Sequence, residues 1–254
     1  MLKDKIALVT GGGRGIGKGI ARRMVQEGAK VIICQRDQVS GEKAVEELSK
    51  NGGEIHFVKA DISQPNDVAF LFESVLSLYD GLDILVNNAG ITGADGSILE
   101  MPLEVWQRMI DINLTSVFLC SKEAANIMVT RKRGGRIINI ASINSYQALP
   151  GACNYVAAKG AIPALTKALA IDLSKYNILV NAIAPGTIST ERTGPRLENP
   201  DYREMIRRSV PLQRTATVDE IASIAVFLAS NECTYVQGET IVADGGILSC
   251  LRLD

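Results

Sequence analysis

Tyr155 and Lys159 stand four positions apart in Asn154-Tyr155-Val156-Ala157-Ala158-Lys159, a run whose composition predicts helix. Residues at that spacing share one helix face, a turn apart. An ammonium beside a phenol favours the phenolate and is expected to lower the tyrosine's pKa from its usual value near 10. The chemistry to look for is proton transfer near neutral pH, with Tyr155 as acid or base. Alone, the spacing fits a solvated surface pair or a packed core tyrosine equally well. Its meaning depends on what the rest of the chain brings to the same place.

A second chemical stretch is Thr10-Gly11-Gly12-Gly13-Arg14-Gly15-Ile16-Gly17, in which five glycines fall within seven residues. Glycine permits a tight turn and lets a phosphate approach backbone N–H groups, and a following helix N-terminus adds partial positive charge. The spacing is G-x-x-x-G-x-G, not the common G-x-G-x-x-G. A triphosphate-binding P-loop is a near miss: Gly12 to Gly17-Lys18 fits, but Gly19 stands where a metal-binding Ser or Thr should be. A dinucleotide is therefore the expected ligand. An acidic residue about 20 positions on would take NAD's ribose hydroxyls. Here Gln35 and Arg36 occupy that region, with Arg14 inside the loop. Two guanidinium groups suit a 2′-phosphate, so NADP(H) is favoured over NAD(H). Asp37 is the opposing feature, because a small change of register would set a carboxylate at the ribose.

The elements that must position these residues alternate. Short Val- and Ile-rich runs, Ile6–Thr10, Lys30–Cys34, Glu54–Ala60, Ile84–Asn87, Arg136–Ala141, Leu179–Ala184 and Thr240–Ala243, read as strands. Segments of helical period lie near 16–28, 40–50, 65–79, 103–131, 154–175 and 218–229. Gly28, Asn51-Gly52-Gly53 and Gly134-Gly135 are expected helix stops, and Ser63 with Pro65 a helix start. Nearly continuous apolar strands alternating with helices predict βαβ units, hence a seven-stranded parallel sheet with helices on both faces. Ligands bind such sheets at the strands' carboxyl ends. There the chain places the glycine loop, Gln35-Arg36-Asp37, Asp61, Asn87-Asn88-Ala89-Gly90, Ser142 and Pro185-Gly186. Pro185 to Pro211 reads as one irregular stretch, a candidate lid.

Composition narrows the partners. The chain has 254 residues, read as one domain over 1–254, with a net charge of −1 and 46% hydrophobic residues. Such a charge offers no field for nucleic acid or anionic membrane, and no apolar run is long enough for a membrane span. Five scattered cysteines without CxxC, and no recognisable secretory signal, point to a reducing cytoplasm and to no metal site. His56, the one histidine, lies beside Phe57 in a strand-like segment and is expected to be structural. A Ser-His-Asp hydrolase would have to use it, which disfavours that class.

Taken together, Thr10-Gly11-x-x-x-Gly15-Ile16-Gly17, Asn87-Asn88-Ala89-Gly90, Asn113, Ser142, Tyr155-x-x-x-Lys159 and Pro185-Gly186-x-Ile188-x-Thr190 resemble the short-chain dehydrogenase/reductase superfamily in its single-domain form. The likeness spans essentially the whole chain and is nearest in look to 3-oxoacyl-acyl-carrier-protein reductase-like and glucose dehydrogenase-like members. It implies a Rossmann-type doubly wound α/β fold and an oxidoreductase interconverting a carbonyl and a secondary alcohol. In that reading Tyr155 is the general acid or base, and Lys159 tunes it and holds the nicotinamide ribose. Ser142 hydrogen-bonds the substrate oxygen, and Asn113 holds a relay water, satisfies backbone groups within the long helix, or does both. Gly11, Arg14, Gly15, Ile16 and Gly17 would hold the phosphates. Arg36, Asp61, Ile62, Asn88, Ala89 and Gly90 would take the adenosine side. Pro185, Gly186, Ile188 and Thr190 would dock the nicotinamide.

The resemblance also implies a homotetramer, built through 103–131 with 154–175 and through Thr240–Asp254. Asn144, Tyr146, Gln147, Leu149 and the lid would face substrate. Arg131-Lys132-Arg133 could meet an acidic acyl carrier protein, but Ile171-Asp172 stands where carrier-binding members often have a further basic residue. Sugar, steroid and small-ketone substrates stay open. So does a non-catalytic nucleotide-sensing scaffold, which the presence of Ser142, Tyr155 and Lys159 disfavours.

Overall fold

The computed structural model of the chain describes residues 1–50, 52–93 and 95–250. Seven strands form one parallel sheet: β1 (Ile6–Thr10), β2 (Lys30–Gln35), β3 (Ile55–Lys59), β4 (Ile84–Asn87), β5 (Gly135–Ile140), β6 (Ile178–Pro185) and β7 (Thr240–Ala243). Their order is β3-β2-β1-β4-β5-β6-β7, with β1 paired to both β2 and β4. The order reverses between β1 and β4, which opens a crevice at their carboxyl ends.

The strands are apolar throughout because both of their faces are covered. Ala7 and Val9 pack with Ile20, Met24 and Val226, from α1 (Gly15–Gln26) and the last long helix. The alternate residue Leu8 packs with Leu71 and Met128 on the other face. α2 (Gln38–Ser49) joins α1 on its face, and α3 (Pro65–Leu78) lies on the other. Gly19, the residue that spoils a P-loop reading, is where α1 meets Val218. A Cβ there would lie 2.8 Å from the Val218 Cβ.

Three local expectations change. The segment 103–131 is not one helix. α4 (Leu103–Ile110) passes through a π-helical turn, Asp111–Thr115, into α5 (Ser116–Arg131). Ser116 Oγ, at the start of α5, donates to the Ile112 carbonyl of that turn at 2.7 Å. Lys132 closes α5 in a left-handed conformation, donating its N–H to Met128 and Val129, while Gly135 already belongs to β5. Ser63 caps nothing: its N–H and hydroxyl both donate to Asp61, and Gln64 precedes Pro65 at the start of α3. Gly28 does follow the end of α1 as expected. Asn51 and residues 251–254 of the expected C-terminal interface lie outside the described residues.

Beyond β5 come α6 (Cys153–Ser174), β6 and then two short helices, α7 (Gly194–Leu197) and α8 (Pro200–Ser209). The irregular stretch expected from Pro185 to Pro211 is therefore partly helical. Asn199 caps α8 through its side chain and Pro200 opens it. α9 (Val218–Ala229) starts with a capping box of Thr217 and Glu220. No helix among the described residues is long and apolar enough to cross a membrane.

A buried polar chain ties the centre of the sheet to its helices. Asn87 Nδ2 donates to Ser121 Oγ of α5 and to Asn139 Oδ1 of β5, each at 2.9 Å. Asn139 Nδ2 donates to Thr166 Oγ1 of α6, also at 2.9 Å. Replacing Asn139 by Ala would strand partners at Asn87 and Thr166 away from water. It should cost about 2–3 kcal/mol, read as a lower midpoint in chemical denaturation. An unchanged midpoint would mean the chain carries no such stability.

Candidate active site

α6 delivers Tyr155 and Lys159 to the crevice on one face, as the spacing predicts. Both are buried, at 8% and 6% exposure. Tyr155 packs among Met109, Ala152, Ala158 and Ile91. Lys159 Nζ donates to the Ile140 carbonyl at 2.8 Å. Burial pulls the Lys159 ammonium down from 10.5 to about 8. Burial pushes the Tyr155 phenol up from its ordinary 10, while the Ser142 hydroxyl and the Arg192 guanidinium pull it back in part. The expected lowering of Tyr155 by Lys159 is thus not realised. Both groups are desolvated, and the lysine loses its own proton before the phenol would ionise.

Ser142 follows β5 and stays buried. Its Oγ accepts the Asn144 N–H at 3.1 Å and caps a 3-10 turn, Ile143–Ser145. Of the expected substrate-facing residues, Asn144 is buried, while Tyr146 and Leu149 are half exposed. Asn113 sits in the π turn with no exposure. Its amide brackets Ile91, accepting the Ile91 N–H and donating to the Ile91 carbonyl, both at 3.0 Å. The Asn113 side chain thus satisfies backbone groups, although that backbone lies outside its own helix. A Cβ on Gly90 would fall 2.5 Å from Asn113 Oδ1 and 3.7 Å from Lys159 Nζ, so Gly90, Asn113 and Lys159 converge.

The glycine loop is closed by its own surroundings. Gly11 and Gly15 take φ of 64° and 52°, a conformation that favours glycine. Asn88 Nδ2 donates to the carbonyls of Thr10 and Gly11 at 2.9 and 3.2 Å. Thr10 Oγ1 accepts the N–H groups of Asn88 and Ala89, each at 3.0 Å. Asn88 therefore braces the loop instead of offering its amide to a ligand. The Gly15 N–H, at the start of α1, donates to the Glu191 carboxylate at 3.2 Å. That carboxylate stands in for an anion where a diphosphate would sit, so the loop's donors suit such a group. Ile16 packs against the core.

At the adenosine edge, Arg36 Nη1 lies 3.6 Å from Asp61 Oδ2, and Arg36 is about half exposed. Burial would raise Asp61, but Ser63 and Arg36 outweigh it and hold the carboxyl below its usual range. Ile62 is buried in the core. Gln35 Oε1 accepts the Gly13 N–H at 3.1 Å. Asp37 caps α2, accepting the Ser40 N–H at 2.8 Å and also the Ser40 hydroxyl. Arg14 precedes α1 and is exposed.

At the other edge, the Gly186 N–H donates to the Ala243 carbonyl at 2.9 Å, next to the end of β6 at Pro185. A Cβ on Gly186 would lie 2.8 Å from the Asp244 Cα. Ile188 is buried, and Thr193 Oγ1 donates to its carbonyl at 2.7 Å. Thr190 packs over Gly15. The sequence reading missed Glu191, Arg192 and Thr193. Glu191 reaches the glycine loop, and Arg192 bonds the Thr92 hydroxyl across the crevice. No spacing could have flagged contacts between residues 176 and 100 positions apart.

The model of the family described as enoyl-(acyl carrier protein) reductase matches residues 11–248. A 3-oxoacyl-[acyl-carrier-protein] reductase of Synechocystis sp. is 40% identical over 249 residues, covering 97% of this chain and 98% of the relative. Glucose 1-dehydrogenase 2 of Bacillus subtilis is 36% identical, covering 97% and 95%. A crystal structure of a variant actinorhodin polyketide ketoreductase with NADPH superposes with a TM-score of 0.91 at 31% identity, covering 96% and 97%.

Lys159 offers a stability test that needs no ligand. Its folded pKa is depressed, from 10.5 to about 8. Between those values the unfolded chain holds the proton and the folded chain does not, so folded stability rises with pH across that window. Lys159→Met, which cannot titrate, should lose ground to the native protein by about 2–3 kcal/mol as pH rises from 7.5 to 10.5. Denaturation of both proteins across the range checks this, and parallel curves would contradict it.

Proposed function

The chain belongs to the short-chain dehydrogenase/reductase superfamily, and from that premise we propose an NADP(H)-dependent enzyme that interconverts a carbonyl and a secondary alcohol, with Tyr155 as general acid and base. The observation that carries the reading is the buried Tyr155 phenol, kept protonated beside Ser142, with Lys159 one turn further along α6. In reduction Tyr155 donates its proton to the carbonyl oxygen, and in oxidation the same oxygen takes one back. The Ser142 hydroxyl donates a hydrogen bond to that oxygen as negative charge builds on it. Lys159 keeps a positive charge beneath the phenol below about pH 8, and Asn113 holds the Ile91 backbone that packs against the ring. A bound nicotinamide would supply or accept the hydride.

The residues that would hold it are Gly11, Arg14, Gly15, Ile16 and Gly17 for the phosphates, with Arg36, Asp61, Ile62, Ala89 and Gly90 around the adenosine. Lys159, Pro185, Gly186, Ile188 and Thr190 would hold the nicotinamide end. NADP(H) is preferred because Gln35, not a carboxylate, stands at the strand end, and Asp37 is engaged in capping α2. The Arg36 side of its pair with Asp61 is exposed and the 3.6 Å contact is weak, so Arg36 can turn to a 2′-phosphate at little cost.

For substrate, likeness to a 3-oxoacyl reductase supports 3-oxoacyl thioesters first, and likeness to a glucose dehydrogenase supports a sugar second. Arg131 is held by Asp80 at 2.6 Å, which weakens the case for carrier-protein docking through that basic run. The reading carries with it one catalytic domain over 1–254 with a lid at 185–211, a cytoplasmic setting and a homotetramer. Half-exposed Phe118 and exposed Ile171 on α5 and α6 support the last.

Tyr155→Phe should lower kcat by about 10³ or more on any carbonyl the native protein reduces, with NADPH affinity kept within about twofold. Steady-state rates across a ketone panel, with direct NADPH titration, decide it. Unchanged turnover in the variant would overturn the assignment. Arg36→Ala should weaken NADPH binding by about tenfold or more and leave NADH nearly untouched. Equal losses for both cofactors would remove the case for a 2′-phosphate site.

A further inference from the structure

α6 contains Pro163, four residues after Lys159. Proline has no N–H to give the carbonyl four residues back, and its ring pushes that carbonyl outward. The carbonyl deprived of its helical donor is therefore that of Lys159. The structure supplies a replacement, because Ser145 Oγ donates to the Lys159 carbonyl at 2.6 Å. Ser145 also closes the catalytic turn, its N–H donating to the Ser142 carbonyl at 2.9 Å. Lys159 is thus held at both ends by one short segment, its Nζ on the Ile140 carbonyl and its own carbonyl on Ser145.

We propose that Ser145 is a positioning residue of the catalytic site, replacing the hydrogen bond that Pro163 removes and so locking the Ser142 turn to the helix that carries Tyr155 and Lys159. The assignment rests on the proposed carbonyl reductase reading for its catalytic consequence, but not for its structural one. Ser145 need touch neither substrate nor cofactor. Its hydroxyl fixes the height of Lys159 against the end of β5, and through the turn it fixes Ser142. An alanine at 163 would restore the missing N–H and make the Ser145 bond redundant. The two positions should therefore behave as a coupled pair.

The test is a four-protein cycle of the native chain, Ser145→Ala, Pro163→Ala and the double variant. In the native background Ser145→Ala should lower Tm by about 3–6 °C, because a buried carbonyl loses its donor. In the Pro163→Ala background the same change should shift Tm by less than about 1 °C. With a reducible ketone and NADPH, Ser145→Ala should lower kcat about tenfold and shift the pH profile of kcat. The double variant should recover both, and Ser145→Thr, which keeps the hydroxyl, should stay within about twofold of native kcat.

A double variant no better than Ser145→Ala in Tm and kcat would overturn the proposal, as would a Ser145→Ala protein with native Tm and kcat. If the native chain reduces nothing in the panel, the carbonyl reductase reading fails. The Tm cycle still decides whether Ser145 answers Pro163.

Discussion

An ammonium kept out of water is the constraint to which the carboxyl edge of this sheet answers. Lys159 is buried, and its proton is loosened from 10.5 to about 8, a cost of roughly 3 kcal/mol for keeping it charged at neutral pH. Such a group persists only where its donors and backbone are held. The Ile140 carbonyl takes the ammonium, and the end of β5 holds Ile140, which pairs with Ile183 of β6. Gly90 leaves the space above it clear of a side chain, and Asn113, fixed in the π turn, borders that space. A buried charge of this kind lowers stability while it serves chemistry, and strands covered on both faces tolerate it.

The same burial reverses the simplest account of the tyrosine. At a wet surface, an ammonium one turn away would draw the phenol toward ionisation. In this site the two groups titrate in the other order. Lys159 releases its proton near pH 8, below the range in which Tyr155 ionises. Across neutral pH the pair is therefore ammonium and phenol, with Ser142 and Arg192 stabilising whatever negative charge develops on the phenolic oxygen. A phenol held protonated is a ready proton donor, and one with two stabilising neighbours can also take the proton back.

What was legible in the sequence was local in the chain. Tyr155 and Lys159 could be placed because helical spacing fixes which side chains share a face. The glycine loop and the strand ends followed from turn chemistry and apolar runs. What was not legible was which of several polar partners each side chain would take, near or far in the chain. Asn88 turned to the glycine loop, Asp37 to Ser40, Ser63 to Asp61, and Glu191 to Gly15. The π turn at Asp111–Thr115 has no proline or glycine to announce it. It forms where Asn113 must reach Ile91. The helices α7 and α8 were hidden because glycine, proline and charge dominate 194–209, although Asn199-Pro200 is a start signal in its own right.

The division between rigid and adjustable parts follows from how each is held. Tyr155 and Lys159 lie on α6 and Ser142 just beyond β5, elements pinned by buried bonds from Lys159 to Ile140 and from Asn139 to Thr166. The segment from Pro185 to Pro211 is held differently. α7 buries no residue and α8 buries Ile206. Its ties to the crevice are hydrogen bonds at exposed residues, Glu191 to the Gly15 N–H and Arg192 to the Thr92 hydroxyl. Few buried apolar contacts and solvent-facing hydrogen bonds define a segment that opens well below the cost of global unfolding. On the proposed reading, a diphosphate arriving at Gly15 would compete with the Glu191 carboxylate for the same N–H. Filling the loop and freeing the 185–211 segment would then draw on one donor, while the buried bonds that hold α6 to β5 stay in place.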